Sequence, residues 1–302
     1  MQQQYIGRFA PSPSGPLHLG SLVCALASYL DAKTHNGLWL LRIEDLDPPR
    51  EQAEAPNLIK KSLASHGLLW DEEVIFQSQR HNRFRNRLDS LITRDIAYRC
   101  NCVRKRLSEI GRVYDGKCLK HPPQNNEKTA LRLNVHACLQ DTQLSNSFNF
   151  KDRLQGQIHQ ELKDIGDFII HRKDGLFAYQ LAVVSDDIDQ EISHVVRGCD
   201  LLDMTAQQSL LFHVFGKAPP QYMHTPILLD ENDRKLSKQN HAPALNNQQA
   251  SLNLIYACRA LGMTPNLKLV TEEPAEILSW AKQYWPSQSI HNKRDVRIRD
   301  IM

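Results

Sequence analysis

Apolar and polar positions change period several times along this chain, and each change marks an element. Residues 5–10, Tyr-Ile-Gly-Arg-Phe-Ala, form the short apolar run that a strand buried in a sheet requires. It breaks at Pro11, Pro13, Gly15 and Pro16, a loop with little backbone freedom. From Leu17 the spacing turns helical, with Leu19, Leu22, Val23, Leu26 and Leu30 on one face, and Asn36-Gly37 supplies the stop. Leu38-Trp-Leu-Leu-Arg-Ile43 is almost continuously apolar, as a parallel strand covered on both faces must be. It ends in Glu44, Asp45 and Asp47. Helical patterns follow over residues 53–66, closed by Gly67, and over 79–97.

Residues 98–160 depart from this alternation and read as an insertion, in which Ala130-Leu-Arg-Leu-Asn-Val135 opens a β-rich portion. The sheet is expected to resume with Asp167-Phe-Ile-Ile-His171, turn at Lys173-Asp-Gly175 and continue as a strand over 176–184, which contains Tyr179. Another strand begins at His194, carries Arg197 inside an apolar run, and leads to a helix over 204–215 stopped by Gly216. Helical segments over 248–261 and 272–284 complete the chain. The expected organisation is an α/β parallel-sheet domain from residues 1–97 and 161–240, an insertion over 98–160, and a helical region over 241–302.

Chemistry concentrates at the joints of this pattern. The strand, loop and helix over residues 5–30 aim backbone N–H groups and a positive dipole end at an anion, with His18 and Gly20 in the first turn. Carboxylates at the C-terminal end of a parallel strand stand where open α/β sheets bind ligands, so Glu44 is placed to receive an ammonium group. Far downstream, Leu228-Leu-Asp-Glu-Asn-Asp-Arg-Lys-Leu-Ser-Lys-Gln239 sets Lys235 and Lys238 around Ser237, two compact cations suited to a polyphosphate. Arg197 within an apolar run needs an anionic partner. Cys100, Cys102 and Cys118 suggest a small metal site lacking one ligand, for which spacing alone favours His121. Cys24, Cys138, Cys199 and Cys258 are isolated and read as small buried hydrophobes.

Composition adds boundaries. The 302 residues exceed one usual core, and 41% hydrophobic with 24% charged content suits a globular protein. The start, Met1-Gln-Gln-Gln-Tyr5, lacks the basic and apolar regions of a secretion signal, and no apolar run reaches membrane-spanning length, so a cytoplasmic site away from membranes is expected. A net charge of +3 argues nothing about nucleic acid by itself.

His18-Leu-Gly-Ser21 and Lys235-Leu-Ser-Lys-Gln239 together resemble the two signature motifs of class I aminoacyl-tRNA synthetases, HIGH and KMSKS. Arg8-Phe-Ala-Pro-Ser-Pro-Ser-Gly15 and Arg42-Ile-Glu-Asp-Leu-Asp47 are similar to the glutamyl branch, whose first motif lacks its last His, as Ser21 does here. The resemblance covers nearly all of this sequence, while the sequence covers only the catalytic part of ordinary glutamyl enzymes, which continue into an anticodon-binding region. It implies a Rossmann-type catalytic domain with a zinc-bearing insertion, a short helical C-terminal region and no anticodon-binding domain. It implies His18 and Lys238 as catalytic residues. Arg8, Phe9, Ala10, Pro11, Ser12, Glu44, Tyr179 and Arg197 would surround L-glutamate. His18, Gly20, Ser21, Lys235, Ser237 and Lys238 would hold ATP, which brings Mg²⁺. For one structural zinc the family pattern C-x-C…Y-x-x-x-C implies Cys100, Cys102, Tyr114 and Cys118, which leaves Tyr114 and His121 as competing fourth ligands.

The insertion, the shortness and the Lys-Leu-Ser-Lys-Gln form resemble a branch of this family that activates glutamate without tRNA. That branch attaches glutamate to the queuosine base in the anticodon of tRNA(Asp). A monomeric enzyme with glutamate, ATP and queuosine-bearing tRNA(Asp) as partners is the expectation. The rivals are a short glutamyl enzyme charging the tRNA 3′ end and a non-catalytic module that binds tRNA or glutamate.

Overall fold

In the computed structural model, which describes residues 4–111, 113–237, 240 and 242–302, the chain opens with two β–α–β units. β1 (Ile6–Phe9) passes through the proline-rich loop into α1 (Leu19–Thr34), and β2 (Leu38–Ile43) returns parallel to β1 with Phe9 opposite Leu41. α2 (Ala55–Ser65) crosses to β3 (Asp71–Phe76), parallel to β2, and α3 (His81–Thr93) follows. β2 is buried from Trp39 to Ile43, whereas β3 is the edge strand with Glu72 and Glu73 exposed. That acidic, half-wet start hid β3 from a reading based on apolar runs. α3 stops at Thr93 rather than 97, because Asp95 reverses the chain with φ 55° and Ala97 begins a strand. After α1 the left-handed residue is Asn36 (φ 51°). Gly37 is demanded by close approach instead, since a Cβ there would sit 2.5 Å from the Tyr5 carbonyl oxygen.

The middle of the chain contains β4 (Ala97–Cys100), α4 (Arg104–Glu109), α5 (Lys117–Lys120), β5 (Ala130–Leu133) and α6 (Val135–Thr142). Then come the hairpin β6 (Ser147–Asp152) and β7 (Gly156–Glu161), α7 (Leu162–Ile165) and β8 (Phe168–His171). β4, β5 and β8 form an antiparallel sheet in that order. Residues 168–171, expected to resume the parallel sheet, therefore pair with β5, Phe168 opposite Leu133. Their burial alternates, as in a strand with one covered face. The second strand expected over 176–184 is replaced by α8 (Tyr179–Asp189). Every residue from Gln180 to Asp187 is buried, polar ones included, so over that stretch no solvent-exposed polar face reveals the helical period.

β9 (His194–Gly198), α9 (Thr205–Val214), β10 (Gln221–Thr225) and β11 (Ile227–Leu229) lead to α10 (Ala250–Ala260), α11 (Pro274–Tyr284) and β12 (Asp295–Arg297). β9 and β10 are parallel, with Arg197 opposite His224. The Ser193 N–H donates to the Ile6 oxygen (3.0 Å), which lays the start of β9 along β1. β2 and β3 thus lie to one side of β1, and β9 and β10 to the other. The strand order switches at that seam, where α/β sheets bind ligands beyond their carboxyl ends. α1 lies in the main core, with Leu22, Leu26 and Leu30 buried among residues of the strands and of α10 and α11. A second core joins α3, α8 and α9 to the antiparallel sheet. Among the described residues no helix is long and apolar enough to cross a membrane.

Candidate active site and metal centre

A cavity of about 560 Å³ opens at the carboxyl ends of β1 and β9. Its wall brings together Arg8, Phe9, Ala10, Pro11 and Ser12 from β1 and the following loop, and His18, Gly20 and Ser21 from the start of α1. Tyr179 from α8, Arg197 from β9, and Lys235 and Ser237 from the loop after β11 complete the expected set. Cys24 also reaches the wall, so it and the half-buried Cys199 are not the core thiols expected. Glu44 is not on the wall. It is buried behind the loop, where its N–H donates to the Pro11 oxygen (3.1 Å). Lys238 lies outside the described residues.

His18 is the N-cap of α1, its Nδ1 accepting from the Ser21 N–H at 3.2 Å, which places the proton of the neutral ring on Nε2. Gly20 makes room for that fold-back, since a Cβ there would lie 3.2 Å from the imidazole. Across the cavity, the Leu236 N–H donates to the Leu228 oxygen (2.7 Å) and the Asn240 amide to the Lys235 oxygen (2.8 Å). These bonds hold the Lys235 loop against β11, while Lys235 Nζ pairs with Asp200 at 2.5 Å.

Behind the wall lies a buried ionic cluster. Arg8 Nε meets Asp187 Oδ1 at 3.1 Å, and Arg42 meets Asp187 at 2.8 Å and Glu44 at 3.3 Å. Asp186 pairs with Arg80 and lies 3.8 Å from Arg42 Nε, which among the described residues has no hydrogen-bond partner. Burial works against the Asp187 carboxylate, but Arg8 and Arg42 hold it below the usual range. Glu44 fares differently: burial, only partly offset by Arg42 and Arg8, pushes it up to about 7. The charge of Arg8 is therefore already met by Asp187.

Arg197 is the contrasting case. It is 3% exposed, and its guanidinium donates to His224 Nε2 (3.0 Å), Gln208 Oε1 (2.5 Å), Thr205 Oγ1 (2.9 Å) and the Leu201 oxygen (3.4 Å). Every one of these acceptors is neutral, and among the described residues no carboxylate lies within ion-pair distance of it. Arg42 carries the same sequence signal, a charge inside an apolar strand, and belongs to the cluster although sequence reasoning missed it. Asp186 and Asp187 give no such signal, because the apolar run ahead of them reads as a strand.

The insertion gathers a second group. Cys100 ends β4, Cys118 lies in α5, and with Cys102 their sulfurs lie within 4.8 Å of one another. The Tyr114 hydroxyl is 3.6 Å from Cys100 Sγ and 3.3 Å from Cys102 Sγ, and accepts the Cys118 N–H at 3.0 Å. His121, exposed beyond α5, is not in the group. Arg132 on β5 donates to Cys100 Sγ (3.3 Å) and stacks 3.8 Å above the Tyr114 ring. Burial alone would raise the Cys100 thiol, but hydrogen bonds from Arg132 and Tyr114 outweigh it and draw the thiol down to about 7. Burial and the hydrogen bond with the Cys102 sulfur push the Tyr114 hydroxyl up. Three sulfurs and one oxygen around a point fit a tetrahedral metal site.

The family model for the catalytic domain of tRNA synthetases class I (E and Q) matches residues 6–294. A Glutamyl-Q tRNA(Asp) synthetase of Pseudomonas putida (strain W619) is 44% identical over 299 residues, covering 99% of this chain and 98% of its own. The protein of the same name from Photobacterium profundum is 46% identical over 287 residues, covering 93% of this chain and 88% of its own. In fold the chain superposes on a glutamate tRNA ligase from Elizabethkingia meningosepticum CCUG26117 in complex with its amino acid. The TM-score is 0.76 at 22% identity, over 98% of this chain and 67% of that one.

Proposed function

We infer the activity from one premise: this chain belongs to the class I tRNA synthetases of the E and Q type. It is an enzyme that activates L-glutamate with ATP and passes the glutamyl group to queuosine in the anticodon of tRNA(Asp), a reading supported by the name Glutamyl-Q tRNA(Asp) synthetase of its near-full-length relatives. One observation carries the glutamate half. Arg197 is a buried cation on the cavity wall with only neutral partners among the described residues. Four of its five N–H groups already have acceptors, but none of these carries charge, so the side-chain carboxylate of glutamate completes an ion pair left open by the protein. Arg8 supports it, Tyr179 and residues 9–12 enclose the substrate, and Glu44, behind the wall but in electrostatic reach of Tyr179 and Arg8, is the carboxylate proposed for the ammonium group.

An α-carboxylate oxygen of glutamate attacks the α-phosphorus of ATP. The bond from that phosphorus to its bridging oxygen breaks, and pyrophosphate leaves with the electron pair and with Mg²⁺ as counter-ion. A hydroxyl of the acceptor base then attacks the acyl carbon, loses its proton, and AMP departs. Catalysis of such steps is positioning and charge stabilisation. His18 offers its Nε2 proton to phosphate oxygens beside the N-terminus of α1, with Gly20 and Ser21 leaving room for the nucleotide. Lys235, Ser237 and Lys238 meet the phosphates from the other side. Cys100, Cys102, Tyr114 and Cys118 would hold one structural zinc, which would supply folding energy to this part of the chain.

The test is ATP–pyrophosphate exchange with glutamate and with glutamine, followed by transfer of labelled glutamate to tRNA(Asp) with and without queuosine. Exchange is expected to favour glutamate by about 100-fold or more, because an amide leaves Arg197 unpaired. Label is expected only on queuosine-bearing tRNA and survives removal of the 3′-terminal adenosine. Label lost with that adenosine would indicate ordinary 3′-end charging, and absence of exchange would leave a binding module.

A further inference from the structure

Behind Arg197 runs a line of buried polar groups that neither step uses. His224 on β10 is fully buried opposite Arg197, whose Nε donates to His224 Nε2 at 3.0 Å. A guanidinium has donors only, so Nε2 is an acceptor and the ring proton sits on Nδ1. That nitrogen donates to Asp152 Oδ2 at 2.6 Å. The other carboxylate oxygen, Oδ1, accepts three backbone N–H groups, those of Leu154 (3.0 Å), Gln155 (2.8 Å) and His224 (3.2 Å). Asp152 comes from the β6–β7 hairpin, and the Gln155 amide in its turn ties the His224 oxygen (2.9 Å) to that of Lys293 (2.8 Å).

We propose that Asp152 and His224 are positioning residues for substrate binding. Asp152 fixes the Nδ1–H tautomer of His224, and the lone pair on Nε2 holds the Arg197 guanidinium toward the cavity. This rests on the reading of Arg197 as the partner of the glutamate carboxylate. The interposed ring is what makes the arrangement useful. An aspartate touching Arg197 directly would orient it but also neutralise it, as Asp187 does for Arg8. A neutral imidazole passes on the orientation and leaves the positive charge for the substrate. Burial, reinforced by Arg197, disfavours the imidazolium and keeps the ring neutral in spite of Asp152. Without the Nε2 acceptor, the Arg197 Nε–H becomes a buried donor without a partner, and the side chain gains a reason to turn away.

The experiment uses the full, zinc-loaded chain and reads ATP–pyrophosphate exchange with glutamate and ATP varied in turn. In Asp152→Asn the three backbone donors at Oδ1 force the amide NH₂ into the place of Oδ2, facing Nδ1. The proton then moves to Nε2 and confronts the Arg197 Nε–H, the same tautomer logic by which a triad aspartate orients its histidine. The expected result is a KM for glutamate raised about tenfold or more, since a hydrogen bond to a charged group is lost, with the KM for ATP changed less than about twofold. His224→Leu is expected to behave in the same way. His224→Gln, which keeps an acceptor oxygen within reach of Arg197, is expected to restore most of the loss. Nitrogen NMR shifts of the His224 ring give a readout apart from activity: Nδ1–H in the parent, Nε2–H in Asp152→Asn.

The proposal fails if the parent exchanges with glutamate but the variants leave its KM unmoved. It fails equally if both KM values rise together, or if His224→Gln matches His224→Leu. Should Asp152→Asn not fold, the His224 pair decides alone. A parent without glutamate-dependent exchange, or Arg197→Lys with an unchanged KM for glutamate, removes the underlying reading and this proposal with it.

Discussion

Glu44 lies among Arg8, Arg42, Asp186 and Asp187, yet burial raises its carboxyl to about 7. In its proposed role as partner of the glutamate ammonium group it acts only when ionised, so that role gives substrate affinity a pH dependence with a definite sign. Below about 7 the free protein holds a neutral Glu44, and binding must expel its proton. kcat/KM for glutamate is expected to rise about tenfold per pH unit up to that region and then level off. Glu44→Gln is expected to give a lower and flat profile. A parent profile without a break between pH 6 and 8 would detach Glu44 from the ammonium group. The sequence supplied the position of this carboxylate at the end of an apolar strand. It did not supply the titration, which comes from burial and from Asp187 and Asp186 reaching in from α8.

Among the elements, the insertion shows how far spacing reaches. Two cysteines separated by one residue, with a third farther on, located a cluster that could hold a metal, because a strand end and a short helix bring such neighbours together. Spacing alone favoured His121 as the fourth donor, and Tyr114 was implied only by the family pattern. Only the Tyr114 side chain points to the sulfurs. Protein prepared without chelators is expected to hold about one zinc, and Cys100→Ser or Cys118→Ser to release it. Metal analysis checks this, and zinc-free parent protein would refute it. Tyr114→Phe is expected to speed zinc loss to a chelator, and His121→Ala to leave it unchanged; the reverse pattern would assign the ligand to His121. Hydrogen exchange is expected to loosen β4 and β5 on zinc loss before β1 and β9, because the metal's folding energy is local.

The whole molecule is tied together at Asp31, in the last turn of α1 and fully buried. It accepts from Tyr5 before β1, from Arg153 in the β6–β7 turn (2.5 and 2.9 Å) and from Trp285 after α11 (3.1 Å). Tyr5 also stacks with both His35 and His194, with ring centres 5.0 and 3.9 Å away. One carboxylate thus joins the first strand, the inserted hairpin and the C-terminal helices. Breaking a buried ion pair by removing one partner costs about 3 kcal/mol or more. Asp31→Ala is accordingly expected to lower Tm by roughly 5–10 °C in calorimetry. The KM for glutamate at 25 °C should change less than about twofold, since His18 and the cavity lie at the other end of α1. A Tm within about 2 °C of the parent would show that the three segments hold together without it.

The sequence by itself determined whatever depends on neighbours. The β1–loop–α1–β2 run, the position of His18 at the start of α1, the lone charge of Arg197 in an apolar strand, and the clustered cysteines were legible because periodicity, turn chemistry and charge placement act within a few residues. The same local rules erred where burial overrode them. The largely buried α8 looked like a strand, the acidic edge strand β3 was missed, and β8, expected to resume the parallel sheet, joins the antiparallel one. Tertiary structure alone decided which charges are spent and which remain available. Asp187 neutralises Arg8 across 179 residues of chain, while Asp152, 72 residues from His224, reaches Arg197 only through a neutral ring. Such pairings follow from how distant elements pack, and an electrostatic partner that far along the chain leaves no periodic trace in the sequence.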